Sequence, residues 1–311
     1  MRLDPEQLPL FAVACGLLGL VVGSFLNVVI YRVPRILMRG WGRDAAALLA
    51  DDDVAAELRL DGSDRATLKT STELVAARLA ALTPLGIALP ASTCPSCGHR
   101  IRVIENVPIV SWLFLRGRCS ACKSPISARY PFVEGITGVL FAAAGWHFGA
   151  NPTLLAALAL VGALVALTLI DADTMLLPDS VTLSLMWLGL LVNLTPYGFA
   201  GLRDALIGTV AGYLAFWSIA AIFRLLRGIE GMGGGDFKLL AALGAWFGWQ
   251  ALVPIVLLAA GVGSLVGLTL MAMRRATMLS RLPFGVYLAP AGIVMLFFGP
   301  RIIAIVLTGG S

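Results

Sequence analysis

The sequence predicts an all-α polytopic membrane protein of about eight transmembrane helices, with a small cysteine-rich cytoplasmic domain between the first and second. Three observations carry that reading. Hydrophobic residues make up 59% of the 311 positions and charged residues 13%, where a soluble domain carries about 25% charged residues. Six long stretches contain no Asp, Glu, Lys or Arg: 7–31, 135–170, 180–202, 205–223, 239–273 and 282–300. Four of the five cysteines form two Cys-x-x-Cys pairs within one polar interval.

A helix needs roughly 20 apolar residues to cross a ~30 Å hydrocarbon layer, so 135–170 and 239–273 must each hold two helices. Gly149-Ala150-Asn151-Pro152 breaks the first, because Asn-Pro signals a turn and Pro cannot continue a helix. Gly248-Trp249-Gln250 breaks the second, with Trp placed as an interfacial residue. The first stretch stays apolar well beyond Cys15, so it reads as a retained helix over 1–31. The alternative is a cleaved signal peptide, with Ala12-Val13-Ala14-Cys15 faintly resembling a lipoprotein site. Cys15 reads as a small buried hydrophobe.

Orientation follows from Lys and Arg. With 32–130 in the cytoplasm, that side holds 20 of the 23 basic residues, leaving Arg2, Arg203 and Arg301 outside. This is the positive-inside bias, and it accounts for the +5 net charge with membrane lipid as the partner and no nucleic acid.

The soluble interval 32–130 divides again. Residues 39–91 form a helical insert, with short helices expected at Ala45–Leu60 and Ser71–Leu82, and Asp51, Asp52 and Asp53 on a solvated face. Residues 92–130 carry Cys94-Pro-Ser-Cys97 and Cys119-Ser-Ala-Cys122, with 21 residues between the pairs. Each pair suits one side of a tetrahedral metal, and four thiolates close a structural Zn2+ site with no open position for catalysis. In a reducing compartment a metal is the expected use rather than two disulfides. His99 reads as a loop or supporting residue beside that knuckle.

The remaining 131–311 form a seven-helix membrane domain with acids at its edge. Charge at a membrane is costly, so an ionisable residue beside a span is a functional candidate. The third helix ends in Asp171-Ala172-Asp173 and runs on to Pro178-Asp179. The sixth begins with Gly231-Met232-Gly233-Gly234-Gly235-Asp236-Phe237-Lys238. Both loops fall on the cytoplasmic side, so Asp171 and Asp236 are able to meet. A carboxylate pair sharing a proton supplies a general base and a general acid for peptide hydrolysis. Gly233, Gly234 and Gly235 are expected to give the backbone beside Asp236 unusual dihedrals and room for a substrate strand. Asp179, after Pro178, reads as a helix N-cap, and Asp173 and Lys238 are candidate interface anchors. Two other readings stay open here. The glycines lack the spacing of a phosphate loop, while acids beside broken helices also describe an ion-coupled transporter. A Ser-His-Asp triad is unattractive, since the two histidines are His99 in the knuckle and His147 near an outward helix end.

Taken in order, the motifs resemble those of the bifunctional type IV prepilin peptidases (leader peptidase/N-methyltransferases), which are GxGD aspartic proteases. The resemblance rests on Gly23-Ser24-Phe25-Leu26-Asn27 through Pro34, Cys94 through His99, Glu105-Asn106-Val107-Pro108, Leu115 through Cys119, and Arg129-Tyr130-Pro131. It continues through Asp171–Asp179 and Gly231–Lys238 to Pro283-Phe284-Gly285. It implies an inner-membrane, multi-pass enzyme that cuts the basic leader of prepilins and pseudopilins at the cytoplasmic face. It also implies methylation of the new N-terminus from S-adenosylmethionine. Carried over by motif, Asp236 is the GxGD aspartate and Asp171 its partner, with Asp173 the rival. Gly233, Gly234, Gly235 and Lys238 form the active-site loop, and Cys94, Cys97, Cys119 and Cys122 hold the metal. Gly117 and Glu105 are methyl-transfer candidates from resemblance alone. Members lacking the cysteine domain tend to be proteases only, so its presence favours both activities. The 39–91 segment is longer than the family pattern.

Overall fold

Local breaker chemistry decides where the apolar stretches become separate helices. The computed structural model describes residues 4, 6–228, 232–273 and 283–308; Gly231 and the basic loop 274–281 of the orientation argument lie outside them. The described helices are α1 (Leu8–Ala50), α2 (Asp52–Glu57), α3 (Gly62–Ala80), α4 (Val110–Phe114), α5 (Arg129–Phe148) and α6 (Pro152–Thr174), followed by α7 (Asp179–Asn193), α8 (Leu202–Arg227), α9 (Gly234–Phe247), α10 (Leu252–Ala272) and α11 (Gly285–Thr308). Short 3-10 turns cover Val103–Asn106 and Trp249–Ala251. The described residues hold no β-strand longer than an isolated bridge. At the first break Asn151 caps α6, its side chain accepting the Thr153 N–H at 3.1 Å, with Pro152 at the first helical position. At the second, Gly248 takes φ +80 and ends α9.

Five of the described helices are long and apolar enough to cross a membrane: α1, α6, α8, α10 with its preceding turn, and α11. The chain is a multi-pass membrane protein. Helices α5, α7 and α9 occupy the other predicted apolar stretches, and α7 and α9 are shorter, at 15 and 14 residues.

Two units separate by contact, Val28–Arg102 in one and Met1–Asn27 with Val103–Ser311 in the other. In the first unit the chain departs from expectation. Helix α1 runs on through Pro34 to Ala50 instead of ending near Tyr31, although Pro34 cannot donate to the carbonyl one turn back. Tertiary ties outweigh that loss. The buried Arg32 guanidinium donates to the carbonyls of Gly86 (2.9 Å), Ile87 (3.1 Å) and Pro90 (2.6 Å). Arg39 donates to Thr83 at 2.8 Å. The expected helix at 45–60 is therefore split: its first residues end α1, and Asp51 caps α2 by accepting the Asp53 N–H at 2.8 Å. Asp61 caps α3 in the same way, and Asp52 pairs with Arg65. Of the acidic run, Asp51 is a cap and Asp52 an ion-pair partner, and all three aspartates, Asp53 included, are exposed as the solvated-face reading expects.

In the larger unit α6 and α9 form the centre. Leu160, Leu164, Leu167 and Ile170 of α6 are fully buried, as are Leu239, Leu240, Leu243 and Trp246 of α9 and Leu288 of α11. The short α9 is secured at its end by polar groups that lipid does not supply. Asn193 donates to the carbonyls of Ala245 (2.8 Å) and Trp246 (3.1 Å), and Trp246 donates to Leu185 at 2.8 Å. Helices α8 and α9 approach backbone to backbone at Gly208, Gly212 and Gly244, the small-residue contact of membrane helix packing. A Cβ at Gly244 would overlap the Gly208 carbonyl. Backbone atoms on both sides are unable to step aside, so Gly244→Ala is expected to lower stability by about 1–3 kcal/mol. A lowered thermal midpoint in detergent checks this, and a midpoint equal to the parent's contradicts it.

Candidate active site and cysteine cluster

Three helix ends converge on two buried acids. Asp171 lies in the last turn of α6, Asp236 in the first turn of α9, and both are buried, at 4% and 9% exposure. The third end is the start of α11. A helix N-terminus leaves its first four N–H groups without intrahelical partners, and here they serve the acids. Val286 N–H donates to Asp171 Oδ2 at 3.0 Å. The Gly285 N–H interacts with both carboxylates, which lie near enough to act on each other electrostatically. A Cβ at Gly285 would lie 2.8 Å from Asp171 Oδ2 and 3.0 Å from Leu177 Cδ1. That space is taken, so Gly285→Ala must displace Asp171. The predicted result is a folded protein whose turnover falls by about a hundredfold; wild-type turnover would show that the carboxylate tolerates the shift.

The glycines before Asp236 do not take the unusual dihedrals expected of them. Gly233 has an ordinary φ of −74 as the residue before α9, and none of Gly233, Gly234 or Gly235 has a positive φ. What demands glycine is close approach at Gly235, where a Cβ would lie 2.8 Å from Leu177 Cβ. Leu177 thus packs against Gly235 and Gly285 together, beneath the two acids. Gly234 has open space around it. The backbone that does hold a left-handed conformation is Met175 (φ 54), which ends α6 with its N–H on the Asp171 carbonyl at 2.9 Å. This costs a non-glycine residue about 1 kcal/mol and turns the chain sharply after Asp171.

Two ion pairs flank the acids. Asp173, exposed, pairs with Arg129 at 2.7 Å, so it does not face Asp236. Lys238 donates to both oxygens of Asp179, at 2.7 and 2.6 Å. Asp179 is therefore not an N-cap: Pro178 holds that position, and the Asp179 carboxylate is drawn to the Lys238 ammonium.

Each cysteine pair forms a matching knuckle. Cys94 N–H donates to the His99 carbonyl at 2.8 Å, and Cys119 N–H to that of Ser124 at 2.9 Å. The residue after each pair, Gly98 (φ 72) or Lys123 (φ 61), is left-handed and returns its N–H to the first cysteine's carbonyl. Cys94 and Cys119 are buried, Cys97 and Cys122 exposed. One sulfur from each lies within 4.8 Å of the others. Four thiolates at ~2.3 Å around a tetrahedral ion are about 3.8 Å apart, so this set suits one metal ion. His99 contributes its backbone carbonyl to the first knuckle.

Gly117 has φ 65, and a Cβ there would lie 2.9 Å from the Trp112 ring, whose Nε1 donates to Ile126 at 3.2 Å. Packing and backbone conformation thus both require glycine at 117. Glu105 lies on the 3-10 turn Val103–Asn106. Residues not singled out from sequence include Leu177, Val286 and Glu134. Glu134 is buried, and its Oε2 accepts the Ile109 N–H at 2.7 Å. The available signal was one acid inside an apolar helix; it sits just before the charge-free stretch that marks that helix.

Comparison with known proteins adds an independent line. A model of the bacterial Peptidase A24 N-terminal domain matches residues 17–148, and one of the type IV leader peptidase family matches 158–268. A protein of Stutzerimonas stutzeri named prepilin leader peptidase/N-methyltransferase is 47% identical over 95% of this chain and 94% of its own length. Proteins of the same name from Aeromonas hydrophila (47%, 92% of this chain, 90% of theirs) and Pseudomonas aeruginosa (45%, 94% and 93%) are similar to it as well. No solved structure matches.

Proposed function

The chain belongs to the type IV leader peptidase family, and from that premise we propose that Asp171 and Asp236 hydrolyse the leader peptide bond of prepilins as a carboxyl dyad. Leader cleavage and N-methylation are the activities of this enzyme. Two acids so close in a water-poor setting share one proton. The ionised member takes a proton from water, and the resulting hydroxide attacks the scissile carbonyl carbon. The protonated member donates to the carbonyl oxygen. Collapse of the tetrahedral species breaks the C–N bond, and the leaving amine takes a proton back from the dyad. The Gly285 and Val286 N–H groups hold Asp171 through this cycle. The observation that supports the reading most is the burial of both acids against one helix N-terminus.

Prepilins and pseudopilins, entering from the cytoplasmic face of the inner membrane, are the proposed substrates. Eight membrane crossings, with 32–130 cytoplasmic and 131–311 forming the catalytic membrane domain, suit the Lys and Arg distribution. Cys94, Cys97, Cys119 and Cys122 would hold a structural Zn2+, which ties two knuckles together and takes no part in the chemistry. S-adenosylmethionine would supply the methyl group as an electrophile; no residue, Glu105 and Gly117 included, is assigned to that transfer. The test is incubation of the purified chain with a model prepilin and S-adenosylmethionine, and weighing of the product. The expected result is a mature pilin one methyl group heavier than cleavage alone yields. An intact prepilin refutes the reading, and an unmethylated product removes its second half.

A further inference from the structure

Between the cysteine pairs lies a segment too short to cross a membrane and apolar except for Glu105, Asn106 and Ser111. It comprises the 3-10 turn Val103–Asn106 and helix α4. Val103, Ile104, Leu113 and Phe114 are 90, 77, 61 and 84% exposed, and Val107 and Val110 are exposed beside them. The other side of the segment is apolar too, but it is packed on protein. Ile109 sits against Gly135 of α5, and the Trp112 ring lies beneath Gly117. A short helix that is apolar on both sides, with one side covered by protein, requires an apolar medium for the other.

Its attachment says which medium. The Ile109 N–H donates to Glu134 at 2.7 Å, which ties the start of α4 to the second turn of α5. At that level α5 itself shows an exposed apolar face, Phe132, Ile136 and Val139. The segment therefore lies beside the first turns of α5, continuous with that exposed apolar face. It is followed by Arg116 and Arg118, both exposed. Cations directly after an apolar stripe complement the phosphates of anionic headgroups.

We propose that Val103–Phe114 is an interfacial anchor, lying along the bilayer with its apolar side chains among the acyl chains and Arg116 and Arg118 at the headgroups. This fixes the level of the second cysteine knuckle, which begins immediately after, against the membrane surface. An apolar protein partner, a substrate helix included, is the competing occupant. The test places a photoreactive phenylalanine analogue at Phe114 in the full-length chain, in phosphatidylcholine vesicles with and without phosphatidylglycerol. Matched labels go at Leu214 on the exposed face of α8 and at Leu58, both exposed. After irradiation, mass spectrometry should find lipid adducts at Phe114 as often as at Leu214 and roughly tenfold above Leu58. The Phe114 yield should rise with phosphatidylglycerol, and that rise should vanish in Arg116→Ala/Arg118→Ala. A Phe114 yield no higher than at Leu58 overturns the proposal. So does cross-linking to added prepilin in place of lipid, and a yield indifferent to anionic lipid overturns the headgroup contact.

Discussion

Asp171→Asn and Asp236→Asn are each expected to leave a folded protein that no longer releases the leader of a prepilin. Asparagine keeps the shape of the acid and an oxygen able to accept the Val286 N–H, which Asp171 now holds at 3.0 Å. It is unable to take a proton from water. Loss of general acid–base action costs about 10²–10⁴-fold, and loss of either member removes the shared proton as well, so cleavage should fall by about 10³-fold or more. Asp173→Asn gives the contrast. Asp173 is exposed and its partner is Arg129; an exposed pair is worth about 0–1 kcal/mol, so cleavage should stay within a few-fold of the parent. Matching thermal midpoints establish that each variant is folded. Full processing by purified Asp171→Asn, together with an inactive Asp173→Asn, would sink the assignment of the dyad.

Cys94→Ser and Cys119→Ser should each empty the metal site and loosen the domain around it. Both cysteines are buried, and each begins a knuckle whose N–H and carbonyl are already committed to the turn. Serine preserves the turn and removes one of four thiolates. Structural zinc contributes roughly 10–16 kcal/mol to the folding of small zinc peptides, so even partial loss exceeds what a short helical insert can replace. Elemental analysis of the purified chain should show metal near one per molecule falling well below that in either variant, with earlier thermal unfolding. A chelator should move the parent toward the variants. Cys15→Ser is the control, since Cys15 packs in α1 against Gly145 and should leave metal content unchanged. Unaltered metal in Cys94→Ser and Cys119→Ser would rule out the four-thiolate site.

Features that rest on local chemistry are legible in the sequence. Asn151-Pro152 and Gly248 mark their breaks by local chemistry, since Asn151 caps the helix that Pro152 opens and Gly248 takes a positive φ. The Cys-x-x-Cys spacing is a knuckle by its own geometry. The path of α1 is not legible in the same way. Pro34 argues for a stop, and only the carbonyls of Gly86, Ile87 and Pro90 around Arg32 explain why the helix continues. The glycines Gly233–Gly235 stand out in the sequence, but no unusual dihedral is involved, and the contact that demands glycine at 235 is Leu177, which the sequence does not point to.

By itself the sequence determined that one aspartate-bearing segment ends an apolar helix and another begins one, and that four cysteines come in metal-spaced pairs. Which aspartate faces Asp236 was decided only by the fold. Asp171 and Asp173 stand two residues apart on one helix, about 200° around its axis, so one turns inward whenever the other turns out. Which one does so depends on how α6 packs, and it packs with Ile170 and Asp171 toward the core and Asp173 toward Arg129. The second decisive group, the backbone of Gly285 and Val286, bears no functional side chain and lies 115 positions from Asp171 in the case of Val286. A backbone N–H is common to nearly every residue, so only the tertiary structure distinguishes the two that face the acids.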